Sequence, residues 1–421
     1  MEDPLTTAIK PIALFGETLG RDGERVLMDT QVGIVGGGPA GLVLSHLLHL
    51  QGIESVIVEA RSRERLETEV RAGVLEQGTV DLLTEIGAGD RMAREGAVHH
   101  GIELRFNRQG HRIPLSDLTG GREIMLYGQH EVVKDLIQAR LDAGGNILFE
   151  AEAVGLHGLE SQRSGIRYQQ DDEDLELRCE FVAGCDGYYG VCRPSIPAEV
   201  RTEYERKYPF GWFGILAEAP RSSEELIYTL HERGFALIST RSPEIQRMYF
   251  QCDPEDDAGN WSDEEIWEEL RARTETHDDW TLEEGPIVEK GIVGMRSFAV
   301  EPMQYGRLYL AGDAAHIVTP TGAKGMNLAV RDVRTLAEAL RAWYEKGRAD
   351  LLENYSDTCL KRAWKAQRFS WWMTSMLHRF PDDEGFQHNL QLAELEYVTS
   401  SQAAATSLAE NYVGIAFDEL P

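Results

Sequence analysis

The chain has 421 residues, 42% apolar and 27% charged, a balance that sets aside intrinsic disorder and collagen-like structure. Acidic residues number 71 against 42 basic ones, a formal net charge of −29. That sign argues against sequence-independent nucleic-acid binding and against attraction to an anionic membrane, and no apolar run reaches the ~18 residues of a membrane-spanning helix.

Residues 1–27 show weak periodicity and several turn formers. They read as an N-terminal extension, open to disorder, without an apolar signal core; Met28, directly before the first strong strand, is a candidate start. Gln31–Val35 predicts a short buried strand, Leu42 to about Leu50 an apolar helix closed by Gly52, and Ser55–Val58 a second buried strand ending at Glu59. Between the first strand and the helix lies Gly36-Gly37-Gly38-Pro39-Ala40-Gly41, a GxGxxG. In such a unit Gly36 permits the tight turn, Gly38 lets a pyrophosphate approach the backbone, and Gly41 lets the helix pack close to the sheet. The helix N-terminus adds free N–H groups and a positive dipole. Glu59, 18 residues beyond Gly41, is spaced to accept from a ribose hydroxyl. A glycine-rich structural turn is the bland alternative, and the motif alone does not separate NAD from FAD.

Further along, Val132–Ala143 reads as a helix, and Phe181–Gly187 (FVAGCDG) is an apolar run ending in an Asp-Gly turn at Asp186. The segment 201–290 is rich in strands and aromatics, with Arg241 and Arg247 in a strand-like stretch from Phe235 to Tyr249; acidic Asp253–Glu284, carrying Trp261, Trp267 and Trp280, reads as an amphipathic surface helix. Leu308–His316 (LYLAGDAAH) is another strand ending in Gly-Asp, and Gly322–Asn327 opens a helix. A bare Gly-Asp is only a turn. Three such strand ends meet the needs of an extended FAD: a pyrophosphate site, a ribose partner, and a ribityl partner, for which Asp313 is suited. The N–H groups around Lys324 would then face a flavin ring oxygen. Helical patterns dominate from Leu328 onward. The five cysteines, Cys179, Cys185, Cys192, Cys252 and Cys359, include no CxxC, a usage that fits reduced thiols in a cytoplasmic protein. No HExxH or Cys/His cluster supports a metal site.

GGGPAG…E, GCDG and GDAAH together resemble the single-component FAD-dependent aromatic hydroxylases. Arg71–Gln77 (RAGVLEQ), Tyr208–Trp212 (YPFGW), Pro320–Gly325 (PTGAKG) and Glu410–Gly414 (ENYVG) resemble the 4-hydroxybenzoate 3-monooxygenases among them, collinearly from about Met28 to the C-terminus. The resemblance implies conversion of 4-hydroxybenzoate to 3,4-dihydroxybenzoate with O2 and NADPH or NADH through a C4a-hydroperoxyflavin. It implies carboxylate binding by Ser239, Arg241 and Tyr249, with Arg247 near both substrate and flavin. It implies a phenol bond to Tyr228, a relay through Tyr412 to His99, with an imidazole titrating near neutrality at its outer end, and a Pro320 carbonyl facing the phenol. Gln129, Arg71 and Asn327 match flavin contacts, and Arg193 and Arg296 match positions linked to nicotinamide binding. Tyr189, Ala60 and Glu69 depart from the pattern, so NADPH and NADH both stay open; Arg61, Arg63 and Arg65 read either as a 2′-phosphate cradle or as a solvated helix face. Thr319 replaces a proline, with little expected consequence. The family habit is a homodimer involving the C-terminal helices.

The expected fold is α/β (α+β overall): a Rossmann-like FAD-binding domain (28–100, 180–200 and 290–345), an interleaved substrate-binding β-sheet domain (101–179 and 201–289) and a helical C-terminal region (346–421). Three rival functions remain, one of them a simple dehydrogenase, which a requirement for O2 with incorporation into product would separate. A related hydroxylase acting on 4-aminobenzoate or another hydroxybenzoate would be expected to alter Tyr228, Ser239 or Pro320. A non-catalytic flavin-binding protein would need neither the tyrosines nor the matched arginines.

Overall fold

The computed structural model describes residues 18–19, 25–69, 73–381 and 385–414, with side chains from residue 28 onward. The expected extension therefore falls largely outside the described residues, as does Arg71. The first strand starts earlier than its apolar pattern suggests, at Arg25 (Arg25–Val35), and Thr18–Leu19 pairs antiparallel beside it.

Two large sheets carry the fold, as the α/β (α+β) expectation requires. In the first, Ser55–Val58 and Glu173–Gly184 flank Arg25–Val35 in parallel, Asn146–Leu148 extends one side, and Glu152–His157 and Ser164–Gln170 extend the other antiparallel. Leu308–Leu310 adds in parallel beside Glu173–Gly184. Val56–Val58 and most of Leu42–Leu48 are buried, because helix Pro39–Leu50 packs on this sheet with helices Gln129–Asp142 and Gly325–Lys346 against it.

The second sheet runs in the order His316–Ile317, Ile287–Glu301, Thr202–Glu218, Ile245–Cys252, Ala236–Ser242, Leu226–Thr229, Ile102–Phe106, Gln109–Ile113. Two expected boundaries shift. Strands between 146 and 179 join the first sheet rather than the substrate side, and Ile287–Glu301 stays in the second sheet, paired along Thr202–Glu218, so the chain re-enters the first body only after it. Alternation marks a strand but not its sheet, since pairing partners are distant in sequence.

Side chains alternate across the second sheet. Phe213, Ile215, Ile227, Ile238, Met248 and Phe250 point to one face and are buried beneath helix Asp263–Thr274 through its Ile266, Trp267 and Leu270. Of the acidic segment Asp253–Glu284 expected as an amphipathic surface helix, only this middle part is helical; Trp267 lies on it, while Trp261 and Trp280 lie in the irregular flanks. The helix starts at a capping box: the Ser262 hydroxyl accepts from the Glu265 N–H, and Glu265 accepts from the Ser262 N–H at 2.8 Å. The opposite face looks toward the first sheet. The long helix Tyr355–Leu377 and helices Phe386–Ser400 and Gln402–Tyr412 close the assembly, matching the helical C-terminal expectation. No helix among the described residues is long and apolar enough to cross a membrane.

Leu270 is fully buried between helix and sheet. Leu270→Ala should lower the unfolding free energy by about 2–5 kcal/mol, read as a reduced urea midpoint with an unchanged denaturant slope.

Candidate active site

Four parallel strands end at one level. The Gly36 N–H donates to the Val58 carbonyl (2.8 Å), the Cys185 N–H to Val35 (2.8 Å), and the Ala311 N–H to Gly184 (2.9 Å). The glycine turn, the Asp186 turn and the Gly312-Asp313 turn are thereby fixed side by side at the carboxyl edge, where open α/β sheets take ligands. Gly36 has φ +102°, and a Cβ there would stand 2.3 Å from the Cys185 carbonyl oxygen; a Cβ on Gly41 would stand 2.0 Å from the Gly36 oxygen. At Gly38 a Cβ would meet nothing within 4 Å, so this backbone is open to an approaching group. Buried Glu59 accepts from the Gly37 N–H (2.6 Å) and the Arg61 N–H (2.8 Å), leaving each oxygen a further lone pair. Asp186 accepts from the Cys192 N–H (2.8 Å) through one oxygen, while its other oxygen is buried without a partner and burial raises its pKa.

Behind Asp313 lies a pair that motif reading did not identify. Fully buried Asp332 accepts from the Gly312 N–H (3.1 Å) and bonds His316 Nε2 (2.6 Å). The His of GDAAH was the visible signal; its partner, on the following helix, was not marked by any local pattern.

A cavity of about 1160 Å³ runs from these turns to the inner face of the second sheet. Ordinary small-molecule sites occupy about 300–1,000 Å³, so this one has room for a dinucleotide and a further small ligand. Its second wall follows period two: Trp212 and Gly214, then Tyr249 and Arg247, then Leu237, Ser239 and Arg241, then Tyr228 and Leu226, on four adjacent strands. Gly214, unmarked by sequence reasoning, makes room for Tyr249, whose ring would lie 2.9 Å from a Cβ there. Arg247 donates from Nε to the Tyr249 hydroxyl (3.2 Å) and from Nη1 to Glu289 (2.9 Å). By contrast, the Ser239 hydroxyl and Arg241 Nε and Nη1 are buried with no hydrogen-bond partner. The Tyr228 hydroxyl lies 2.5 Å from that of Tyr412, both rings are buried, and burial raises both phenol pKa values.

The FAD binding domain family matches residues 29–370. A p-hydroxybenzoate hydroxylase from Acinetobacter baylyi is 47% identical over 93% of this chain and 96% of its own length. The chain belongs to the p-hydroxybenzoate hydroxylase family. Two solved structures share the fold at lower identity. A p-nitrophenol 4-monooxygenase from Pseudomonas putida superposes with a TM-score of 0.78 (18% identity; 92% of this chain, 100% of that one). A Diels–Alderase of pyrroindomycin biosynthesis gives 0.74 (19% identity; 93% and 82%).

Membership in the p-hydroxybenzoate hydroxylase family makes this an FAD-dependent monooxygenase, and the first wall fits that cofactor: an open Gly38 backbone, a buried Asp186 oxygen without a partner, and the N-terminus of helix Gly325–Lys346. Of the sequence-derived residues, the cavity gathers Gly36, Gly38, Glu59, Gln129, Asp186, Asp313, Pro320, Lys324, Tyr228, Ser239, Arg241, Arg247, Tyr249 and Arg296. Arg193 and Tyr412 are not among its lining; Arg193 lies over the rings of Tyr188 (4.4 Å) and Phe298 (4.7 Å), and Arg296 joins it over Tyr188 (4.6 Å). Asn327 also stands outside the lining. Its amide accepts from the Glu76 N–H (2.9 Å) and donates to the Val74 and Ala323 carbonyls (both 2.9 Å), so it holds the helix start against a strand. The Lys324 ammonium turns away into a buried bond with Glu76 (2.6 Å), which Arg331 shares (2.5 Å), leaving backbone N–H groups as the helix start's offer to a ligand. Arg61 is paired with Glu69, and Arg63 with Glu67 (2.6 Å). Among the described residues, no group of His, Cys, Asp or Glu is placed to hold a metal ion.

The relay stops short. His99 has no hydrogen bond to either tyrosine, its Nδ1 is buried without a partner, and burial lowers its pKa from 6.5 to about 4, against the expectation of an imidazole titrating near neutrality. This gives stability a signed pH dependence. The unfolded chain protonates this imidazole near pH 6.5 and the folded one only near 4, so its contribution is present at pH 7 and lost as pH falls between those values. The loss amounts to about 3 kcal/mol. His99→Gln should flatten the acid limb of the unfolding midpoint between pH 6.5 and 4 relative to the native chain; an unchanged limb would refute the assignment.

Proposed function

We propose that this protein hydroxylates 4-hydroxybenzoate to 3,4-dihydroxybenzoate, with O2 and NAD(P)H as co-substrates. Ser239 and Arg241 carry the reading, since unpartnered buried donors on the inner face of the sheet call for an anionic ligand. A carboxylate matches the planar guanidinium fork, and Ser239 supplies a further donor. Trp212, Leu226, Leu237 and Met295 give the ring apolar walls that exclude water.

Bound FAD supplies the hydride acceptor and the activation of O2. The chain supplies the phenol's environment. Each tyrosine hydroxyl has one hydrogen, so the 2.5 Å bond has two settings. With Tyr228 donating to Tyr412, Tyr228 accepts the substrate's phenolic hydrogen. With Tyr412 donating to Tyr228, Tyr228 donates to the ionised phenol. Going from the first setting to the second passes one proton from the ring oxygen to Tyr228, one from Tyr228 to Tyr412 and one from the Tyr412 hydroxyl to a solvent water beyond it, so no tyrosinate forms, a species that burial disfavours in both residues. The Pro320 carbonyl accepts from the Ala323 N–H (2.9 Å) and keeps a second lone pair for the phenol. Arg296 and Arg193, with exposed Tyr189 beside them, complete the reading as the nicotinamide side. We place the protein in the cytoplasm as a homodimer; exposed Phe386, Leu390 and Tyr397, on one face of their helix, support the second point.

Purified yellow protein should consume NADPH or NADH in air far faster with 4-hydroxybenzoate and yield 3,4-dihydroxybenzoate. Stimulated oxidation that yields only peroxide would mean that another aromatic is the substrate. Arg241→Ala should raise KM for 4-hydroxybenzoate by about 10–100-fold, the size of a lost charged hydrogen bond. Tyr228→Phe should act on kcat instead, by about 100-fold.

A further inference from the structure

Three side chains one turn apart on helix Tyr355–Leu377 and its end, Ser370, Thr374 and His378, are fully buried and absent from the cavity lining, yet they touch both walls of the substrate end. On one side they hold the Pro320 turn. Thr374 Oγ donates to the Ser370 carbonyl (2.8 Å). The same hydroxyl lies 2.7 Å from Thr319 Oγ and 2.9 Å from Thr321 Oγ, the residues flanking Pro320, and shares a hydrogen bond with each. Thr319 also lies within 3.1 Å of the Ser370 carbonyl.

On the other side they hold Trp212. An indole N–H only donates, so its 2.7 Å bond makes His378 Nε2 an acceptor. The imidazole hydrogen must then sit on Nδ1, which donates to the Thr374 carbonyl (3.0 Å). The ring is clamped between Phe210 (4.8 Å, 12°) and Phe235 (4.3 Å, 20°). One tautomer and one ring position are left.

We infer that Thr374 and His378 form a positioning brace, fixing the Pro320 turn relative to Trp212 and so the width of the slot that receives the aromatic ring. The inference rests on the proposed function for the ring's identity, but not for the brace itself. Neither residue lines the cavity, and the walls they join, at Pro320 and Trp212, come from chain segments about a hundred residues apart. A displacement of about 1 Å in such a site costs on the order of a hundredfold in rate, so a saturated hydroxyl network is a fitting device for holding it.

The test uses the FAD-loaded full chain with Thr374→Val, Thr374→Ser and His378→Phe. Thr374→Val takes the hydroxyl partner from buried Thr321 and leaves Thr319 only the Ser370 carbonyl, and KM for 4-hydroxybenzoate should rise roughly tenfold, with a larger share of NAD(P)H consumed without ring hydroxylation. FAD affinity, measured by fluorescence titration of the apoprotein, should stay within twofold of native, roughly 0.4 kcal/mol, because the brace does not reach the cofactor wall. Thr374→Ser should restore both KM and coupling, and His378→Phe should reproduce the Thr374→Val pattern. A Thr374→Val protein that is only less heat-stable, with native KM and coupling, would overturn the brace. Failure of the native protein to hydroxylate 4-hydroxybenzoate would overturn the function reading alone. The brace is then read from crystal structures of native and Thr374→Val protein without aromatic ligand: Pro320 displaced by more than about 0.5 Å, the tolerance of a preorganised site, supports it, and an unmoved Pro320 refutes it.

Discussion

The bond from the Ala311 amide to the Gly184 carbonyl, with its two neighbours at Cys185 and Gly36, is the constraint on which the cofactor wall depends. It forces strands that are distant in sequence to stop at one level. The first turn then meets the second at a distance only glycine tolerates, and the carboxylates of Glu59, Asp186 and Asp313 line one cavity. A one-residue slip in any of these strands would turn its terminal carboxylate away, because strand side chains alternate.

Much of this was legible in the sequence because each strand end carries a local signature. GxGxxG, GCDG and GDAAH are short and self-contained, and each lies where it was read. The acidic Trp-bearing helix was legible for the same reason: its cap and apolar face lie within a few turns. What escaped depends on non-local pairing. Asn327 and Lys324 stand in a cofactor-binding motif, yet Glu76, some 250 positions away, draws the lysine's charge inward. His99 could be matched by position, but the burial that lowers its pKa comes from packing, not spelling. Gly214 and Asp332 carry no motif, and Thr319 looked inconsequential until its hydroxyl was seen against Thr374.

The charge distribution has an inner counterpart. The chain carries a net charge of −29, yet Arg241 and Arg247 lie within its cavity on the inner face of the sheet. Glu289 already neutralises part of Arg247, whereas Arg241 Nε and Nη1 have no partner. The buried carboxylate of Glu76, shared by Lys324 and Arg331, similarly ties the start of one helix to a strand. Buried charges this close are tolerable because each has a partner or awaits one.

The alternation across the second sheet has a consequence for descent. Odd and even positions of the same strands belong to different tasks: Phe213, Ile238, Met248 and Phe250 anchor the sheet beneath its covering helix, while Trp212, Gly214, Ser239 and Tyr249 face the ligand. Replacements on the inner side can rewrite what the protein accepts while the outer side keeps the scaffold standing. A lineage built this way can wander through chemistries without passing through unfolded ancestors, and the same fold is found in a Diels–Alderase and a p-nitrophenol 4-monooxygenase.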